Sequence, residues 1–214
     1  MNVPWYEQED ILDRLTVFGR AIQGVDPYQV IIEPDPKKCH SAYCSFDLRR
    51  ISVNPTIFSV PAAEQYQLTK ALLVHEAGHR RHTTPTALPA IVREIANILE
   101  DERIERRMWD EFVGIRWLIS KLAARFYEET RLIDEASEIS HEVVLYFLQL
   151  RWAKRVGKPV KGILSKRNQL LWEKVRPLVE ESWQAPCSEM VNRNSAKITQ
   201  ILNLSCDNAS SSIR

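Results

Sequence analysis

The sequence predicts an α+β fold, a small N-terminal β-sheet followed by a predominantly helical body. Two observations carry that prediction. Short β-branched runs between Tyr28 and Val53 are bounded by Pro27, Pro34, Pro55 and Pro61, as strands of a compact sheet would be. From Ala62 onward, apolar residues recur three and four apart over long stretches, broken by "TTPTALP" and "GKPVKG". With 214 residues, 44% of them hydrophobic, the chain can bury a core without disulfides, and one domain over residues 1–204 is expected. The polar end "SCDNASSSIR", residues 205–214, is expected to form a flexible tail.

Each element has a local reason. A helix is expected over Glu7–Gly24, where Ile11, Leu12, Leu15, Phe18 and Ile22 fall at helical spacing and Gly24 ends the run. "YQVII" (Tyr28–Ile32) reads as the first strand. "SAYCSFDLRRISVNP" reads as two more, Ala42–Phe46 and Arg49–Val53, joined by a tight turn near Asp47. Helices then follow over Ala62–His82, Pro89–Trp109, Glu111–Glu129 and Asp134–Val156. Ser165–Trp183 is helical in pattern, with Pro177 expected to kink or split it, and Ser188–Leu204 is a weaker amphipathic helix. Residues 1–60 thus hold a helix and the sheet, 61–109 two central helices, and 110–204 a helical subdomain. Trp117, Trp152, Trp172 and Trp183, set among Leu and Val, read as core or partner-packing aromatics.

Charge and composition exclude several classes. The chain carries 29 basic and 28 acidic residues, a net charge of +1, so no basic stripe exists to neutralise phosphates and no nucleic-acid partner is expected. "MNVPWYEQED" has no apolar signal-peptide core, and no run approaches the ~18 apolar residues needed to span a bilayer. A cytoplasmic protein with no membrane partner is therefore expected. Cys39 and Cys44 bracket His40, but no second pair accompanies them. They read as loop or strand thiols kept reduced.

The chemistry is concentrated in "LLVHEAGHRRHT", Leu72–Thr83, which holds three of the five histidines. On a helical wheel of about 100° per residue, Leu68, Ala71, Leu72, His79 and His82 fall within roughly 60° of His75. Imidazoles one turn apart can converge on a single ion, and neutral imidazole is a common zinc donor. Glu76 points to the side, where it can act on water acidified by the metal. A structural reading, in which the two histidines only close a core-facing helix, explains neither the Glu placed directly after the first nor the costly Gly78 between them. His82 shares the face, but three successive turns diverge from a point, so it is expected beside the site or at the surface.

"VHEAGH" resembles the HExxH motif of the zincin metallopeptidases. The resemblance implies a zincin-like fold, Zn2+ held by His75 and His79, and Glu76 as the general base on a metal-activated water. A third protein ligand is then needed, and "NILEDERIE" (Asn97–Glu105) on the next helix supplies the candidates. Asp101 and Glu105 lie beside the Ile91, Ile95, Ile98 stripe on the side of Asn97, while Glu100 falls further round, next to Arg103. Zincins with a helical acid as third ligand often carry another acid one turn later that orients a histidine, a spacing Asp101 and Glu105 reproduce. Asp101 is the expected ligand, with Glu100 the alternative and with Glu105 and Asn97 supporting from behind. A solvated helix face explains Glu102, Arg106 and Arg107.

"HEAGH" with "NILEDERIE" is further similar to the N-terminal regions that precede von Willebrand A modules in cobaltochelatase-subunit and nitric-oxide-reductase-activation-type proteins. That resemblance covers about Arg50–Met108 and implies a partner of the AAA+ ATPase or von Willebrand A kind. Neither an acidic linker nor an A domain is expected within residues 1–214. A peptide or protein substrate is implied, with "RRISVNP" as the edge strand it would pair with, or else as a plain sheet strand. Tyr127, His141, Tyr146 and Arg103 are candidates for stabilising an oxyanion. The function expected is a zinc-dependent peptidase or peptidase-like hydrolase. The alternative is a non-catalytic zincin-fold interaction module.

Overall fold

The structure, a computed structural model, describes residues 3–130 and 139–204, apart from the side chains of residues 139–141. It is α+β and mostly helical among these residues. The elements are α1 (Glu9–Gln23), β1 (Gln29–Ile32), β2 (Ala42–Ser45), β3 (Arg50–Val53), α2 (Ala62–His82), α3 (Ala90–Glu111), α4 (Arg116–Glu129), α5 (Ile139–Val156), α6 (Lys166–Trp183) and α7 (Ser188–Leu202). Two compact units divide the chain. One comprises residues 1–83 and 107–122, the other 84–106 and 123–214. The expected tail, and residues 134–138 of an expected helix, lie outside the described residues.

In the first unit the three-stranded sheet has the order β1-β3-β2, with β1 parallel and β2 antiparallel to β3. The registers pair Val30 with Ile51 and Cys44 with Ile51, so Ile51 is flanked on both sides and fully buried. β3 is therefore the central strand. This corrects the expectation that "RRISVNP" forms an edge: β1 returns alongside it in parallel and occupies the side left open by β2. α1 and the sheet both pack on α2. Gly19 lets α1 approach β1, because a Cβ there would sit 2.9 Å from Val30 Cγ2. Gly24, at φ 81°, then ends α1 in a conformation that β-carbon-bearing residues rarely adopt.

α2 is buried on nearly every side: Leu68, Ala71, Leu72, Leu73, Val74 and Ala77 are each at most 4% exposed. Each large aliphatic so placed stabilises the unit by about 1.5–3 kcal/mol. Glu64 in its first turn and His79, Arg80, Arg81 and His82 in its last complement the helix dipole. At the C-terminal end Arg81 donates to Glu111 at 2.5 Å and lies over the Phe112 ring, tying α2 to the start of the 107–122 segment.

The second unit is helical. Ile95, Leu99, Val143, Phe147, Trp172, Val175, Val179, Trp183, Val191 and Ile198 form its core. Ser165 Oγ accepts from the Asn168 backbone N–H and caps α6. α7 ends at Asn203 in the left-handed region. Trp172 and Trp183 are buried as expected and Trp152 stacks on Phe126. Trp117 in the first unit is 49% exposed, because Leu118, Ile119 and Leu122 take the inward face of α4.

Pro177 does not split α6, which runs unbroken from Lys166 to Trp183. Both Pro177 and Glu173, whose carbonyl loses its helical partner, are exposed, so water can satisfy that carbonyl. Pro177→Ala should restore the missing bond and raise stability by about 1–2 kcal/mol, less than the ~3 kcal/mol helix penalty of proline because proline also restricts the unfolded chain. Urea unfolding of the two proteins, followed by helical circular dichroism, measures the difference, and a loss of stability on substitution would contradict this account.

Candidate metal centre

α2 carries His75 and His79 on successive turns, both half-buried, with ring centroids 5.0 Å apart and planes at 81°. The two rings meet edge to face and do not stack. His79 Nδ1 lies 3.0 Å from Thr83 Oγ1. With the proton on Nδ1, the threonine accepts it and Nε2 presents its lone pair, which is how ligand imidazoles are ordinarily oriented. Thr83 was not singled out in the sequence. The available signal is its position four residues after His79, where it also caps α2 through its backbone N–H to the His79 carbonyl at 2.9 Å.

Glu76 is only 5% exposed. Its charge acts on two thiols, Cys39 ahead of β2 and Cys44 on it. Burial first, and the Glu76 carboxylate second, push Cys39 up to about 11 and Cys44 up to about 12. Both cysteines are free, one in the loop before β2 and one on it, as the sequence suggested.

α3 carries the acids. Glu100 is 5% exposed and is gripped by Arg103, whose Nε and Nη2 donate to its two oxygens at 2.7 and 2.6 Å, while Ser188 Oγ adds a bond of 2.7 Å. Glu102 accepts from Arg106 Nε at 2.7 Å and from Arg155 at 3.0 Å. Arg151 of α5 donates Nη1 to Asp101 Oδ2 at 2.8 Å and Nη2 to Glu105 Oε1 at 2.9 Å. Burial works against the charge of Arg151, but Glu105, Asp101 and Glu102 outweigh it and hold the guanidinium protonated well above its usual range. Glu102 thus belongs to a buried ionic network. The solvated face expected for it is corrected by α5, which lays two arginines over this side of α3.

Within that row Asp101 has the most exposed side chain, 26% against 7% for Glu100 and for Glu105. One ligand atom each from His75, His79 and Asp101 lies within 4.8 Å of the others, and no other such group of three occurs among the described residues. A tetrahedral zinc with ~2.0–2.1 Å bonds wants its donors about 3.3 Å apart, a spacing that lies inside that limit. Two neutral nitrogens and one carboxylate are a donor set suited to a divalent cation with zinc's preferences.

The other expected residues are placed as follows. His82 Nε2 lies 3.2 Å from Glu111 Oε1, and Asn97 is exposed. Tyr127 donates its hydroxyl to the Pro159 carbonyl at 2.8 Å, Tyr146 packs against Trp172, and Arg103 is held by Glu100. The His141 side chain lies outside the described residues. No protein-family model, curated protein or solved structure matches the chain. No helix among the described residues is long and apolar enough to cross a membrane.

The raised thiols give a direct test of the packing around Glu76. In the folded protein at pH 8, iodoacetamide should label exposed Cys187 readily and Cys39 and Cys44 only on unfolding, as peptide mapping by mass spectrometry would record. Stability tied to their neutral forms is intact below the unfolded thiol value and is lost as pH climbs toward about 11 and then about 12. Rapid native-state labelling of Cys44 would show that the sheet side of α2 is open.

Proposed function

We propose that this chain is a zinc-dependent peptidase or peptidase-like hydrolase, with His75, His79 and Asp101 as ligands and Glu76 as general base. The observation that carries the reading is the convergence of those three donors within 4.8 Å. Zinc, when bound, supplies a Lewis acid that acidifies water to near-neutral pKa and polarises a carbonyl.

The residues of the chain do the rest. His79, turned by Thr83, and His75 contribute neutral nitrogens, and Asp101 contributes the single negative charge. A divalent ion with these three ligands alone would keep a net positive charge, which favours an incoming carbonyl oxygen. Glu76 follows His75 directly in α2 and takes the proton of the attacking water. Its burial keeps bulk solvent from competing for that proton. A peptide or protein is the substrate class.

One observation favours a second reading, a non-catalytic zincin-fold module working with an AAA+ or von Willebrand A partner. β3 is paired on both sides, so the edge on which a substrate strand was expected is occupied.

Elemental analysis of purified protein should find one zinc per chain, lost in His75→Ala. Glu76→Gln should retain zinc and lower the hydrolysis of a casein-derived peptide mixture by about 10²–10⁴-fold. Equal rates in Glu76→Gln and wild type would remove the assigned base. Stoichiometric zinc with no hydrolysis by wild type would decide for the module.

A further inference from the structure

We infer that Arg151 is the positioning residue of the metal site, setting the carboxylate of Asp101 for the ion. The inference rests on the reading of Asp101 as a ligand. Its own observations lie within the second unit. Arg151 is only 3% exposed in its side chain and comes from α5, whereas the carboxylates it meets all come from α3. Asp101 and Glu105 stand one helical turn apart, so a single planar guanidinium can reach both: Nη1 to Asp101 Oδ2 at 2.8 Å, Nη2 to Glu105 Oε1 at 2.9 Å. Glu102 Oε2 lies 3.9 Å from Nε, beyond hydrogen-bond reach, and adds only its charge on the third side of the fork. Lysine has no such fork and cannot hold two carboxylates in one plane.

Two consequences of this arrangement oppose each other. A guanidinium draws charge from the carboxylate it holds, which makes Asp101 a weaker donor. It also stops the most exposed carboxylate of the row from turning to water, which makes Asp101 a better placed one. Loss of such outer partners ordinarily lowers metal affinity by about 10–100-fold, so orientation is the larger effect. Arg155 makes the useful contrast. It lies 3.0 Å from Glu102 and 3.6 Å from Glu105, compensating the same buried acids from the next turn of α5.

The experiment is a zinc titration of the full chain in competition with a chromophoric chelator, on wild type, Arg151→Lys, Arg155→Lys, Asp101→Asn and the Arg151→Lys, Asp101→Asn double variant. Arg151→Lys should weaken zinc binding by about 10-fold or more, and Arg155→Lys by less than twofold. Because Arg151 acts through Asp101, adding Arg151→Lys to Asp101→Asn should change affinity little further. Unchanged binding in Arg151→Lys, or losses that add fully in the double variant, would overturn the positioning role while leaving the ligand assignment standing. Absence of zinc from wild type would instead remove the ligand assignment itself. Should Arg151→Lys fold poorly by thermal melt, Arg151→Gln with Glu102→Gln removes one cation and one buried acid together and carries the same expectation.

Discussion

Four carboxylates between residues 100 and 105 of one helix must be neutralised before that helix can pack, and this constraint organises the second unit. An uncompensated buried charge costs several kcal/mol, more than any single aliphatic contact returns. Arg103 and Arg106 answer Glu100 and Glu102 from α3 itself, and Arg151 and Arg155 answer Asp101, Glu102 and Glu105 from α5. The pairing leaves α5 little freedom to slide or rotate on α3. A one-residue slip would separate a planar fork from both of its partners at once. Ile95, Leu99, Val143 and Phe147 pack together in that same register.

The first unit meets the opposite demand. α2 is apolar on almost every face because α1 covers one side and the sheet another, so a polar residue on it needs a reason. Thr69 and Glu76 are its buried polar residues, and His75 and His79 are half-buried beside them. Close approach is what makes the enclosure possible: Gly19 admits α1 to β1, and Ala71 and Ala77 keep α2 slender where its neighbours meet it. The Glu76 carboxylate influences Cys39 and Cys44, so the two thiols report on its surroundings.

Much of this was legible in the residues. α2 spans the stretch its periodicity indicated, Ala62–His82, and the three strands lie within one or two residues of their β-branched runs. The pairing of His75 with His79 followed from helical spacing alone. What escaped detection was non-local. Nothing in "RRISVNP" tells whether a strand from the other side of the chain will flank it, and parallel pairing with β1 does. Glu102 looked like a solvated acid because its partners Arg151 and Arg155 lie some fifty residues away. Pro177 broke a local rule without breaking the helix, since it and Glu173 are exposed and water can satisfy the carbonyl it orphans. Thr83 was missed for a different reason: a threonine at a helix end has so many roles that its sequence position singles out none.

The interleaving of the two units along the chain has its own consequence. Residues 84–106 belong to one unit but sit between the two segments of the other, and the division falls inside α3 itself. During synthesis the first 83 residues therefore emerge without Ile115, Leu118 and Ile119, and their core stays open until residue 122 has left the ribosome. The second unit begins with a helix whose arginine partners are made about fifty residues later. Neither unit is a contiguous stretch of the chain, so neither could be excised or grafted by itself without cutting through α3.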